Sequence, residues 1–128
     1  MTQRAVRQMP EQGTGGSVTT ISAAQADNPI AGVAASIPMI KKGGPNAVTV
    51  SLASEYARRN IRFDAVAPSV INMHLHKNTP QDLMKTLSPM GTVVEAEDIA
   101  EAVVYLTEAR CVTAEVLHVD GGAHTGRW

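Results

Sequence analysis

Residues 61–68, Ile61-Arg62-Phe63-Asp64-Ala65-Val66-Ala67-Pro68, form a mainly apolar run closed by proline, the pattern of a strand buried on both faces. Such a strand needs neighbours on either side and helices above and below, and the rest of the chain offers them. A β-branched segment at residues 17–21 precedes it, introduced by Gly13-Thr14-Gly15-Gly16. A third strand pattern at residues 115–120 ends at Gly121-Gly122. Two helical patterns lie between: residues 47–60, with Val48, Leu52 and Tyr56 in one row, and a segment from Glu95 to Arg110 with an apolar stripe of Ile99, Val103 and Leu106. Pro45 suits the first turn of the former, and Glu95, Glu97 and Asp98 favour the positive dipole end of the latter. Ala5, Val6 and Met9 mark the end of one more helix within residues 1–12. Strands alternating with helices of about a dozen residues imply right-handed crossovers and a parallel sheet. The expected fold is α/β, a narrow parallel sheet of about three strands with flanking helices, in one unit over residues 1–128.

The chain length of 128 residues is that of one domain. Only 3% of residues are aromatic, so the core must be built from Ala, Val, Ile, Leu and Met. Platforms for stacking single-stranded nucleic acid are nearly absent. Eleven Lys and Arg against 12 Asp and Glu leave no basic track for a phosphate backbone, so no nucleic-acid partner is expected. No apolar run approaches the ~20 residues of a membrane helix, and the N-terminus lacks a signal-peptide core. With the single thiol of Cys111 unable to form an internal disulfide, a cytoplasmic setting with no membrane partner is expected. Cys111 itself reads as a packed thiol in its Val/Thr context, and His118, Met39, Met73, Met84 and Met90 read as packing residues. In His74-Leu75-His76, strand alternation would put both imidazoles on one face, yet no Cys or carboxylate pattern completes a site, so no metal is expected.

Three blocks together carry a family signature. Lys42-Gly43-Gly44-Pro45-Asn46-Ala47-Val48-Thr49 with Ser51-Leu52-Ala53-Ser54-Glu55-Tyr56-Ala57, then residues 61–68, and finally Thr113-Ala114-Glu115-Val116-Leu117-His118-Val119-Asp120-Gly121-Gly122, resemble the second half of a short-chain dehydrogenase/reductase. The resemblance implies a partial Rossmann-like fold and NAD or NADP as cofactor. It also implies a Tyr as general acid or base, a Lys four residues later that lowers the Tyr pKa and binds ribose, and an upstream Ser that positions substrate. Lys42 matches the Lys, but Pro38 stands at the Tyr position, with neither a proton to donate nor an N–H. Ala23 occupies the Ser position and leaves Ser22 one residue early, facing the other side of the strand end. The candidate catalytic residues are thus Lys42 and Ser22, and the candidate cofactor-binding residues are Lys42, Pro68, Ser69, Val70 and Ile71. Within the latter segment Ser69 replaces the usual Gly and Met73 the usual Thr, while Asp64 replaces Asn and Ala114 replaces Gly.

The family's first half would supply a strand, a Gly-rich turn and a helix whose N-terminus receives the pyrophosphate. Gly13-Thr14-Gly15-Gly16 leads into a strand pattern and so is no substitute. The expectation is an NAD(P)-dependent oxidoreductase by resemblance, truncated and catalytically incompetent. The alternative is a non-enzymatic oligomerisation module that pairs with itself or with an intact relative. In the family's sheet the three strands are neighbours at one end, which would leave residues 17–21 with an open edge. The helix before that strand and the helix over 47–60 would form a second assembly surface.

Overall fold

The computed structural model describes residues 2–27, 36–72 and 79–125. The elements are α1 (Thr2–Gln12), β1 (Gly16–Ile21), a 3-10 turn (Ala24–Ala26), α2 (Ser36–Tyr56), β2 (Ile61–Pro68), a short α3 (Gln81–Lys85), α4 (Ala96–Glu108) and β3 (Val116–Val119). Further 3-10 turns follow α2 at Ala57–Arg59 and β3 at Ala123–Thr125. The three strands form one parallel sheet in the order β1-β2-β3, with Gly16 opposite Ile61 and Ala65 opposite Val116.

The central position of β2 explains its composition. Seven of its eight residues are buried, and Arg62 is half-buried. Alternation sends Ile61 and Phe63 toward α1 and α2, where Val6 and Ala53 complete a buried cluster bordered by Met9, Val18, Leu52 and Tyr56. The Tyr56 and Phe63 rings meet at 5.8 Å, so Tyr56 packs as the helical row predicts. On the opposite face Val66 joins Ala102 and Leu106 of α4, with Ile99, Val103, Val112, Leu117 and Val119 around them. Each large aliphatic side chain fully buried this way contributes about 1.5–3 kcal/mol.

The α4 helix begins where its acids predict, because the Asp98 carboxylate accepts the Glu95 N–H at 2.8 Å. Its last carbonyls are capped from the sheet. Arg62 donates to Leu106 O at 2.6 Å, to Thr107 O at 2.7 Å and to Val112 O at 3.2 Å. A guanidinium at a helix C-terminus answers both the unpaired carbonyls and the negative dipole end.

The α2 helix differs from expectation. It begins at Ser36, eleven residues before the predicted start, and Pro45 lies inside it. Pro45 removes the bond to the Lys41 carbonyl, and with Gly43 and Gly44 beside it the intrinsic cost is several kcal/mol, roughly 3 for Pro and 1 for each Gly. Packing offsets this cost, since Asn46, Thr49 and Ala53 on its inner face are all buried. Two packing expectations also fail. Cys111 is exposed in the turn just after α4, and Met90 is exposed outside the core, whereas Met84 is buried and Met39 half-buried. Both misplaced residues lie in connecting turns, where apolar neighbours in sequence do not become neighbours in space. Met73 and the pair His74 and His76 lie outside the described residues.

Candidate functional site at the C-terminal end of the sheet

The strand ends converge on the residues that the sequence singles out. Ser22 follows β1 directly, is buried, and donates its N–H to Val66 O at 2.8 Å. Its hydroxyl faces α2 and donates to the Lys42 carbonyl at 3.2 Å. The Lys42 ammonium in turn donates to Ile21 O at 3.1 Å. Ser22 and Lys42 are therefore brought together, and each directs its polar group at a backbone carbonyl. Pro38 lies in the first turn of α2, one helical turn before Lys42.

The segment after β2 is tied back to the fold. Pro68 is buried, Ser69 donates its N–H to Val119 O at 3.3 Å, and Ile71 makes a parallel bridge to Val94. Val70 and Ile71 are half-buried. Among the described residues the loop 13–16 runs into β1, so no helix N-terminus lies behind its glycines to receive a pyrophosphate. The Lys42 ammonium and the Ser69 N–H are thus engaged within the chain, and position 38 carries no phenol. A hollow of about 870 Å³ lies elsewhere, between α4 and β3, and is lined by Val94, Asp98, Ala102, Leu117 and Asp120 among others.

A polar cluster beside β3 was not legible as a group. Asn46 of α2 donates to both carboxylate oxygens of Asp27, at 3.0 and 2.9 Å. His118 Nε2 lies 3.6 Å from Asp27 Oδ2 without a hydrogen bond, and the His118 ring stacks on His124 at 4.0 Å between centroids. His124 meets Asp120 through Nδ1 at 2.9 Å, and Asp120 also accepts the N–H groups of Gly122 and His124. His118 thus packs, as expected, but against polar partners. The residues come from three parts of the chain, at 27, 46 and 118–124, and only the last group is close in sequence. Among the described residues no group of three or more His, Cys, Asp or Glu could hold a metal ion.

Asp64 stands out electrostatically. It is fully buried, accepts the Glu115 N–H at 3.0 Å through Oδ1, and has no hydrogen bond at Oδ2. Burial pushes its carboxyl above the ordinary value, against the opposing pull of that N–H and of Arg62 at 3.7 Å. Ala114, the other departure from the family pattern, has φ 64°, the left-handed conformation that glycine adopts at least cost.

Comparison with known proteins matches this geometry to one group. The sequence family described as Enoyl-(Acyl carrier protein) reductase matches residues 1–124. A 3-oxoacyl-[acyl-carrier-protein] reductase of Bos taurus is 39% identical over 87 residues, 68% of this chain and 37% of the relative. Carbonyl reductase family member 4 of Xenopus tropicalis is 33% identical over 118 residues, 92% of this chain and 49% of the relative. The crystal structure of a 3-ketoacyl-(acyl-carrier-protein) reductase from Brucella melitensis complexed with NADH superposes with a TM-score of 0.87 at 26% identity, covering 97% of this chain and 52% of that one. The chain thus spans about half the length, or less, of the proteins it matches.

Proposed function

Because the chain belongs to the short-chain dehydrogenase/reductase family, we propose that it derives from an NAD(P)-dependent carbonyl reductase of the 3-oxoacyl-carrier kind, and that these 128 residues by themselves transfer no hydride. One observation carries the reading: the Lys42 ammonium donates to Ile21 O, and the residue one helical turn before it is Pro38. Proton transfer to a carbonyl oxygen needs a titratable group within hydrogen-bond reach of that oxygen. Proline supplies none, and a lysine held on a backbone carbonyl has no phenol whose pKa it could lower. A cytoplasmic setting accompanies this reading, and no helix among the described residues is long and apolar enough to cross a membrane.

The test is direct. Titration of the purified chain with NADH and NADPH, followed by fluorescence, is expected to show no micromolar binding, and assays with a 3-oxoacyl thioester no turnover. Turnover by the purified chain overturns the reading. The change Pro38→Tyr alone is expected to leave the chain inactive, since the turn for the pyrophosphate would still be lacking.

A second reading, association with another copy or with an intact reductase, rests on the outer face of α2. Ile37, Ile40 and Val48 are 64%, 80% and 54% exposed, and their spacing aligns them along one side of the helix. Size-exclusion chromatography with and without an intact relative tests it. Association should weaken at least tenfold in Ile40→Glu, and failure to associate with either partner sinks this reading.

A further inference from the structure

The polar cluster beside β3 carries an inference that goes beyond the proposed function and does not depend on whether the chain transfers hydride. We propose that His118 is a proton-operated latch, which on acidification ties the turn after β1 to the last 3-10 turn, Ala123–Thr125. The observation behind it is one unpaired atom. His118 Nε2 is buried without a hydrogen-bond partner, yet lies 3.6 Å from Asp27 Oδ2. That is a few tenths of an ångström beyond the usual reach of an N–H donor, about 3.2 Å. A neutral imidazole carries one proton, and where Nδ1 holds it the Nε2 lone pair faces a carboxylate. A second proton turns Nε2 into a charged donor aimed at that carboxylate, and the contact closes to a charge-assisted hydrogen bond.

Both partners are held in place for this step. Asn46, itself buried in α2, donates its amide to the two Asp27 oxygens at 3.0 and 2.9 Å, and each ionised oxygen keeps a lone pair for a further donor. The His118 ring stacks on His124 at 4.0 Å with 26° between the planes, and His124 is in turn fixed by Asp120 through Nδ1 at 2.9 Å. Among the described residues the titratable groups around His118 are thus Asp27 from the turn after β1 and His124, backed by Asp120, from the last turn. The α2 helix adds the uncharged Asn46 through Asp27, and β2 pairs Ala67 beside it. One proton on the stack gains a carboxylate and meets a neutral ring, whereas a second sets two charges face to face, with Asp120 as its counter-ion. The latch therefore engages as pH falls through the range in which imidazoles charge, near ~6.5, and lets go only where carboxylates take up protons, near ~4. Its effect falls on the turn that follows Ser22 and on Ala123–Thr125, which touch each other.

The experiment is amide hydrogen exchange in the 128-residue chain at about pH 7.5 and about pH 5.5, on either side of the imidazole range. Each rate is divided by that of the same amide in an unstructured peptide, which removes the chemical dependence on pH. The amides read are Asp27, which donates to Ala24 O at 3.4 Å, and His124, which donates to Asp120 Oδ2 at 2.7 Å. In the wild type the protection of both should rise at least fivefold on acidification. The rise should be absent in Asp27→Asn, whose acceptor has no charge, and in His118→Gln, which cannot take up the proton, while His124→Gln should keep it at Asp27. Proton–nitrogen correlation spectra at the lower pH should show a proton on His118 Nε2 that exchanges with water at least fivefold faster in Asp27→Asn. No rise in the wild type overturns the assignment. So does a rise that survives in either Asp27→Asn or His118→Gln, or one lost only in His124→Gln, which would place the switch at His124 and Asp120.

Discussion

The two long helices lie on opposite faces of the same three strands, yet they are held by different means. The α4 helix has a carboxylate at its first turn, a guanidinium on its last carbonyls and a buried stripe between. The α2 helix has no acid in its first turn, Gly43-Gly44-Pro45 in its middle and apolar residues facing solvent. Both pack on the sheet, but only α4 also has charged groups at its two ends. The polar groups differ in the same sense. Around α4 they hold the fold together, whereas Pro38, Lys42 and Ser22 belong to α2 or touch it, and the polar groups of Lys42 and Ser22 are turned on backbone carbonyls.

Removing the cap is the sharpest way to break this contrast. Arg62→Met keeps much of the apolar stem but leaves the carbonyls of Leu106, Thr107 and Val112 without their donor and Asp64 without its cation. Charge-assisted bonds at a buried site and an uncompensated carboxylate together place the expected loss at about 3 kcal/mol. Urea denaturation would read this as a lower midpoint at an unchanged slope. A loss below about 1 kcal/mol would mean that α4 does not depend on its cap, and the contrast with α2 would fail.

The next effect is smaller and opposite in sign. Asp64 is ionised at a cost, because its folded-state pKa lies above the unfolded value. For such a group the folded state binds more protons between the two values, so stability falls as pH rises through that window and the cost is fully present above it. Asp64→Asn keeps an acceptor for the Glu115 N–H and removes the charge, so it should stabilise the protein at neutral pH by about 1 kcal/mol. The advantage over the wild type should shrink as pH falls through the folded pKa toward the ordinary carboxylate range. Equal stability of the two proteins at pH 7, or a gap that widens on acidification, would contradict the cause assigned to the shift.

What could be read in the sequence follows the same division. The bounds of β2 and the start of α4 were legible because each is set by residues within a few positions, an apolar run closed by Pro68 and a cluster of acids before Ile99. The family blocks were legible for the same reason, and the sheet order they imply is the one observed. The first half of α2 was not, since Gly43-Gly44-Pro45 reads as a break and the contacts of that half, with Ile21, Ser22 and the turn at Ala24–Ala26, come from some 20 residues away. Arg62 gave no local sign of its role, because its partners lie 44 to 50 residues away. The cluster of Asp27, Asn46, His118 and His124 was hidden likewise, since Asp27 meets Asn46 from 19 residues away and His118 from the far end of the chain. At the candidate site, identity was legible in Pro38 and Lys42, while the direction of the Lys42 ammonium toward Ile21 O required coordinates.

The smallest effects test whether each half carries its own kind of flaw. A Cβ built on Gly43 meets only Ala26 O, at 3.8 Å, an ordinary contact, and Gly43 is neither next to Pro45 nor among the positive-φ glycines, so Gly43→Ala should raise helix propensity and restrict the unfolded chain. The expected gain is about 1 kcal/mol, read as a rise in the urea midpoint. Ala114 presents the inverse case, with φ 64° at a position where its own N–H donates to Phe63 O at 2.8 Å. Ala114→Gly relieves the left-handed strain but gives up a methyl that packs beside Ile61 and Phe63, so the gain should be nearer 0.5 kcal/mol. The two sites lie on separate elements, and their gains should add in the double variant. If Gly43→Ala destabilises instead, α2 needs that glycine for its approach to Ala26 O rather than merely tolerating it, and the weakness assigned to that helix is a packing requirement in disguise.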